Sequence, residues 1–114
     1  MSRIAFAALA ASLAATPALA ADGETLFNTQ CKMCHGGSVM GPKLEGVAGA
    51  KIAARPDFNY SPGLKAKADG TWTDANLDAF LKAPTTFAPG TRMMISVQPD
   101  DNRKAIIGYL KTLK

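Results

Sequence analysis

One short stretch constrains this chain more than any other: Cys31-Lys32-Met33-Cys34-His35. On a helix, side chains three positions apart lie on the same face, so the two thiols would project together. A histidine follows the second thiol directly, and this run is the signal for covalent attachment of a c-type haem. Each thiol would add to one vinyl group on the same side of the porphyrin, with the imidazole aimed at the iron. The stretch therefore predicts a helix that carries a haem.

Three other uses of the cysteines stay open on the motif alone. The chain has two cysteines and one histidine in all, whereas a structural zinc site normally takes four such ligands. A thioredoxin-type redox pair normally lies beside a βαβ pattern, and no strand-like run precedes Cys31. A disulfide across so short a loop would constrain the unfolded chain little, and it would give His35 no role. Covalent haem is the hypothesis that uses all three side chains.

The first twenty residues have the plan of a secretory signal peptide. Arg3 is followed by an apolar run, by Pro17 and by Ala18-Leu19-Ala20, which is typical of a cleavage site. An uncleaved anchor is the alternative, but the apolar run is shorter than the roughly 20 residues that span a bilayer. We therefore expect residues 1–20 to be a signal peptide and residues 21–114 to be one periplasmic domain. No later segment predicts membrane insertion.

The composition of the remaining chain favours a small domain that needs help to build its core. The leader holds one of the 13 basic residues, which leaves 12 against 9 acidic residues and a net charge of +3. Glycine and proline are frequent between residues 36 and 90, which predicts many loops. Small domains rich in loops usually need an additional stabilising element such as a disulfide or a bound metal. A buried porphyrin would supply the missing apolar volume. No basic cluster or motif predicts nucleic-acid binding.

Hydrophobic spacing predicts helices and no strand pair, so the expected fold is all-α. The first helix should run from Gly23 to Cys34, with Asp22 as its N-cap. A second should run from Asp74 to Lys82, and the last should begin near Pro99. The buried face of the last helix is predicted to consist of Ile106, Tyr109, Leu110 and Leu113. On this helix Gly108 would let another helix approach closely.

Between the helices the chain should be irregular, above all from Glu45 to Gly70, and Pro84 should end the second helix. Pro42 fixes a turn and cannot donate a hydrogen bond from its nitrogen. Its carbonyl can accept one, and the ring nitrogen of an iron-bound histidine such as His35 needs that kind of partner. An ordinary turn is the other interpretation of Pro42.

With these motifs identified, the mature chain resembles the class I cytochromes c of the mitochondrial and alphaproteobacterial type. The resemblance covers most of residues 22–114, with the motifs in the same order. They are Gly23 and Phe27 before C-x-x-C-H, Gly41-Pro42-x-Leu44-x-Gly46, Phe58-Asn59-Tyr60, Trp72, Pro89-Gly90-Thr91-Arg92-Met93 and Ile106-x-x-Tyr109-Leu110. The resemblance implies a small all-α fold whose terminal helices cross at Gly23, with loops wrapped around one covalent haem.

The resemblance also implies a set of site residues. His35 would be the proximal iron ligand and Met93 the distal one, with the carbonyl of Pro42 orienting the histidine. Tyr60 and Trp72 would hydrogen-bond a buried haem propionate. The implied cofactor-binding set is Cys31, Cys34, His35, Pro42, Leu44, Tyr60, Trp72, Phe80 and Met93.

The residues alone leave the choice of distal methionine open. Met33 lies inside the motif, where its helix would hold it on the wrong side, and Met40 is too near His35 in sequence to reach the opposite face easily. Met93 and Met94 both follow a turn far along the chain. Methionine usually fills gaps in a hydrophobic core, and this structural role is the alternative to iron ligation for each of the four residues. The resemblance selects Met93.

The predicted ligation implies a function. With both axial positions filled by protein, no position remains for a substrate or for oxygen, so the chain would be a soluble periplasmic one-electron carrier and not an enzyme. Its partners would be redox proteins, such as a membrane oxidoreductase, an oxidase or a periplasmic dehydrogenase, and it would be a monomer. A subunit of a larger redox complex and a gas-binding or peroxidase-like haem with a labile Met93 are the alternatives. The basic residues predicted to steer acidic partners are Lys32, Lys43, Lys82 and Arg92.

Overall fold

The computed structural model describes residues 22–114, so the signal-peptide prediction for residues 1–20 lies outside the described part. Its helices are α1 (Gly23–Gln30), α2 (Lys32–His35), α3 (Pro62–Lys65), α4 (Asp74–Lys82), α5 (Pro84–Phe87) and α6 (Asp100–Leu110). The all-α prediction is confirmed, since extended pairing within residues 22–114 is limited to one antiparallel bridge between Lys51 and Thr71. None of the described helices has the length and apolar character that crossing a bilayer requires.

The helix predicted over Gly23–Cys34 is two helices that meet at Cys31. Cys31 has φ −112° and ψ −40°, which departs from regular helix geometry. The chain nevertheless continues to coil, because the amide of His35 donates to the carbonyl oxygen of Cys31 at 3.0 Å. Asp22 stands at the predicted N-cap, but its carboxylate accepts from the Thr25 hydroxyl at 3.4 Å and not from a backbone amide. The N-cap position of Asp22 is therefore as predicted, but its side chain makes no capping hydrogen bond to the helix backbone.

The second predicted helix has the expected bounds, and α3 and α5 were not predicted. Thr73 caps α4 by accepting from a backbone amide in the first turn of that helix. Pro84 ends the segment of α4 as predicted and then begins α5, because proline fits the first turn of a helix. The region expected to be irregular contains α3, where the Ser61 hydroxyl accepts from the amide of Leu64 at 3.4 Å.

The first and last helices cross in close contact. The packing at Gly23 is so tight that a Cβ atom there would lie 2.1 Å from the carbonyl oxygen of Ala105 in α6. Next to this point the ring centroids of Phe27 and Tyr109 are 5.1 Å apart. The crossing at Gly23 is as predicted, whereas the close approach predicted at Gly108 was wrong, because a Cβ atom there would meet open space.

The core is built around α6, which packs against both α1 and α4. Its buried apolar members among the described residues are Leu26, Phe27, Cys31, Ile52, Trp72, Leu77, Leu81, Ala88, Val97, Ile106, Ile107 and Leu110. The buried face of α6 differs from the prediction, because Tyr109 is only half-buried and Leu113 lies beyond the end of the helix, while Arg103 and Ile107 are buried. Pro99 occupies the N-cap of α6 and not its first helical position.

Arg103 is a buried cation that joins α6 to α4 and to the segment before α6. Its side chain is 3% exposed, and its Nε donates to a carboxylate oxygen of Asp78 at 2.8 Å. One terminal nitrogen donates to the carbonyl oxygen of Val97 at 3.0 Å and to the side chain of Gln98 at 3.1 Å, and the other donates to Asp100. The hydrogen bond to Asp78 raises the pKa of the guanidinium. The cation is therefore fully paired in the folded state.

We expect Arg103→Met to lower the free energy of unfolding of the holoprotein by about 2 kcal/mol, chiefly because the buried carbonyl of Val97 loses its donor. Asp78 and Asp100 are partly exposed, so water can replace their share of the bonds. Lys104→Met, at an exposed position of the same helix, is the matched control and should change stability by less than about 0.5 kcal/mol. Urea denaturation measures both, and equal losses would contradict this account of Arg103.

Candidate cofactor site

A cavity of about 420 Å³ lies among α1, α2, α4, α6 and the connecting loops. This volume is within the roughly 300–1,000 Å³ that is typical of ligand and cofactor pockets. The structure brings all of the residues predicted for the site to the wall of this one cavity. They are Cys31, Cys34, His35, Pro42, Leu44, Tyr60, Trp72, Phe80 and Met93.

The two thiols lie at the junction of α1 and α2, where Cys31 is buried and Cys34 is half-buried. Burial raises the pKa of the Cys31 thiol, and the neighbouring Cys34 raises it further. Both cysteines line the cavity, so covalent attachment through them would hold a group at its wall. Within residues 22–114 no three His, Cys, Asp or Glu side chains group closely enough to hold a metal ion, and the zinc alternative gains no support.

The imidazole of His35 is oriented by the backbone of the following loop. Its Nδ1 atom lies 2.8 Å from the carbonyl oxygen of Pro42. A carbonyl oxygen can only accept, so Nδ1 carries a hydrogen, and in the neutral imidazole Nε2 is then the nitrogen with the lone pair. The hydrogen bond expected between these two residues is therefore present. It fixes the tautomer and ring orientation that a metal-ligating histidine needs.

The four candidate methionines differ sharply in burial. Met93 is half-buried and packs against the hydrophobic core. Met94 is 74% exposed, Met40 is 68% exposed and Met33 is 81% exposed. Met33 does not reach the cavity wall, whereas the other three line it. Burial therefore favours Met93 as the thioether that is held at a fixed place.

Two aromatic residues give the cavity wall hydrogen-bonding groups. The hydroxyl of Tyr60 accepts from the backbone amide of Arg55 at 3.3 Å, which leaves its own hydrogen for another partner. Burial raises the pKa of Tyr60, so the phenol keeps that hydrogen through neutral pH. Trp72 is 7% exposed and is fixed by the rings of Phe80 and Phe87, at centroid distances of 5.2 and 5.7 Å.

Much of the apolar wall was not assigned to the site from the sequence. Ile106 and Leu110 were predicted as the buried face of the last helix, and the other members were not assigned to the site, because residues from separate loops and helices meet only in the folded chain. These wall residues are Val47, Leu64, Leu77, Leu81, Val97, Ile106 and Leu110.

The charged residues at the wall also differ in part from the prediction. Of the four basic side chains expected near the site, Lys43 and Arg92 line the cavity and Lys32 and Lys82 do not. Arg55 lines it without having been predicted, and it forms a salt bridge of 3.2 Å with a neighbouring aspartate, Asp57. In the sequence Arg55 is notable only because Pro56 follows it and predicts a turn, and a turn does not indicate where the arginine side chain lies.

Comparison with known proteins identifies chains of the same kind. A model of the cytochrome c family matches residues 20–114. A cytochrome c2 of Rhodopila globiformis is 38% identical over 105 residues, which cover 88% of this chain and 98% of the relative. A cytochrome c of Tetrahymena pyriformis is 40% identical over 98 residues, covering 82% of this chain and 88% of that one. The solved structure of cytochrome cH from Methylobacterium extorquens aligns with a TM-score of 0.71 at 34% identity, covering 81% of this chain and 99% of that chain.

Proposed function

The chain belongs to the cytochrome c family, and from this membership we propose that it is a periplasmic one-electron carrier whose haem iron is held between His35 and Met93. It binds one haem c, covalently attached through Cys31 and Cys34. The family consists of electron-transfer proteins that exchange electrons with redox partners. The signal-peptide pattern of residues 1–20 supports the periplasmic location.

The cavity suits a haem in its chemistry as well as in its volume. Its walls are mainly apolar, and the side chains that reach it from α4, α6 and the loops match the hydrophobic faces of a porphyrin. Cys31 and Cys34 both line it at the junction of α1 and α2, where their sulfurs would form the two thioether bonds. Tyr60 offers a hydrogen-bond donor to a carboxylate group inside the cavity. The residues present therefore fit the group that the family carries.

The ligand proposal is based on two side chains at the cavity wall. His35 has its Nε2 lone pair free because Pro42 binds the other ring nitrogen at 2.8 Å. Met93 is the least exposed of the methionines at the wall, and the hydroxyl of Thr91 accepts from its backbone amide at 3.3 Å. When bound, the haem supplies an iron centre that takes up and releases one electron, and histidine with methionine is the ligand pair associated with raised potentials.

The rest of the chain sets the surroundings of that exchange. Leu77, Leu81, Val97 and Ile106 line the cavity and are 6% exposed or less, so they keep water away from it. Exclusion of water is one of the means by which a protein tunes a haem potential. With His35 and Met93 as ligands, the protein would leave no coordination position for a substrate. This arrangement favours electron transfer over catalysis.

The charges near the cavity support acidic redox proteins as partners. Lys43 and Lys51 are exposed residues that line it, and Glu45 is an acidic residue beside them. Basic side chains around a redox site increase the rate of encounter with a negatively charged partner at low salt. The proposed partners are a membrane oxidoreductase, an oxidase or a periplasmic dehydrogenase, with the chain acting as a monomer.

The proposal predicts the redox behaviour of protein exported by a host that has haem-attachment machinery. We expect one covalent haem per chain, a reversible titration with the slope of a one-electron couple, and no binding of carbon monoxide by the native ferrous protein. Spectroelectrochemistry and a carbon monoxide difference spectrum measure these properties. Rapid carbon monoxide binding would favour a gas-binding or peroxidase-like haem instead, and a larger redox subunit that co-purifies would favour a component of a complex.

A further inference from the structure

We propose that Gly63 is a positioning residue for Met93: because it has no side chain, α3 can lie directly against the turn that leads to Met93 and hold that turn in place. The inference rests on the ligation by Met93 proposed above. It adds a residue that touches neither the haem nor its ligands and that acts through the backbone of Pro89.

The contact between Gly63 and the turn is one of backbone against backbone. A Cβ atom at Gly63 would lie 2.0 Å from the carbonyl oxygen of Pro89 and 2.9 Å from its carbonyl carbon, and 3.1 Å from the carbonyl carbon of Ala88. Non-bonded heavy atoms in favourable contact are about 3.5–4.0 Å apart. A change of side-chain rotamer cannot relieve such an overlap, because all of the opposing atoms belong to the main chain.

Both sides of this contact are anchored. On one side the buried hydroxyl of Ser61 accepts from the amide of Leu64 at 3.4 Å, and Leu64 packs against the core. On the other side Ala88 is fully buried, and its carbonyl oxygen accepts from the amide of Thr91 at 2.9 Å. A methyl group at Gly63 would therefore displace the turn or α3 from these anchored positions.

The turn is connected directly to the methionine. The hydroxyl of Thr91 accepts from the amide of Met93 at 3.3 Å, and Thr91 itself is 6% exposed. A second link joins the same two segments, because the guanidinium of Arg92 donates to the carbonyl oxygen of Asn59 and lies over the ring of Phe58 at 5.6 Å from its centroid. Arg92, the residue directly before Met93, is thus held by the segment that leads into α3.

The effect of a methyl group at Gly63 follows from the overlap. To reach normal contact distance the carbonyl of Pro89 must move by on the order of 1 Å. Pro89 precedes Met93 by four residues in a tight turn, so part of that movement reaches the methionine. The bond between the Met93 thioether and the iron would then be weaker, and an added ligand would displace the thioether more easily.

The test compares Gly63→Ala with Gly108→Ala in the purified holoprotein. The chemical change is the same, but the Cβ atom at Gly108 meets open space on the outside of α6. In Gly63→Ala we expect a weaker absorption band of the methionine–iron(III) bond and imidazole binding to the ferric protein that is about tenfold tighter. Gly108→Ala should match the unchanged protein in both measurements, and its helix should be slightly more stable.

A second variant keeps the test decisive if Gly63→Ala does not fold. Arg92→Gln removes the other link between the two segments at an exposed position, and we expect imidazole to bind several-fold more tightly there as well. Imidazole affinity unchanged in the foldable variants would overturn the inference. Met93→Leu provides the reference: loss of the methionine–iron band in that variant confirms the ligand, whereas its persistence would show that the ligation proposal itself is wrong.

Discussion

Replacing both thiols, in a Cys31→Ala, Cys34→Ala double variant, should give an exported chain with no covalently bound haem. Both sulfurs lie at the wall of the cavity, and no other cysteine exists in the chain to replace them. The cavity of about 420 Å³ would then lose the group that fills it. Since small domains depend heavily on such staples, we expect the variant to lose most of its cooperative unfolding transition. Intact mass and circular dichroism measure the two losses.

The control for this experiment lies inside the same motif. Met33 stands between the two cysteines, is 81% exposed and does not line the cavity. Met33→Ala should therefore keep the haem, the mass increase and the unfolding transition of the unchanged protein. A double variant whose colour remains with the protein after extraction with acidified acetone would contradict attachment through Cys31 and Cys34.

Replacing Met93 by leucine should have the second largest effect. Leucine keeps a similar volume at a half-buried position but has no sulfur to bind the iron. We expect the reduction potential to fall by on the order of 0.1 V, a part of the roughly 0.8 V over which axial ligands set haem potentials. The ferrous variant should also bind carbon monoxide, because one coordination position would be open. Redox titration and the carbon monoxide difference spectrum measure the two changes.

The matched control is Met94→Leu, which makes the same change at the next residue. Met94 is 74% exposed although it also lines the cavity, so its removal should leave the potential and the carbon monoxide response unchanged. In the reverse pattern, Met94→Leu would bind carbon monoxide and lower the potential while Met93→Leu changed neither property. That result would assign the distal ligand to Met94. The pair of variants thus decides between the two methionines that the residues alone leave open.

The parts of this molecule that could be predicted from the sequence are those fixed by local spacing. The Cys31–His35 run identifies the attachment point because its chemistry depends on neighbours within one helical turn. The bounds of α4 follow from an N-cap, an apolar stripe and Pro84, all within a dozen residues. The crossing at Gly23 came from the family resemblance and is present in the structure.

The parts that could not be predicted depend on residues far apart in the chain. Arginine is rarely buried without partners, and the burial of Arg103 needs Asp78 from another helix. Gly108 lies on an amphipathic helix and was expected at a contact, yet it faces outward, while Gly63 supplies a close contact that its sequence neighbours do not indicate. A glycine shows which backbone approaches are permitted, but only the tertiary structure shows whether another segment is there.

The placement of α6 has a consequence for the order in which the molecule is completed. Ile106 and Leu110 line the cavity and belong to the last helix of the described chain. They are far in sequence from the two cysteines that line the same cavity. If the chain is exported from its amino terminus as proposed, the attachment motif is therefore accessible before the residues of α6 can close the cavity. The cavity can be sealed against water only when α6 packs on α1 and brings these two side chains to the wall.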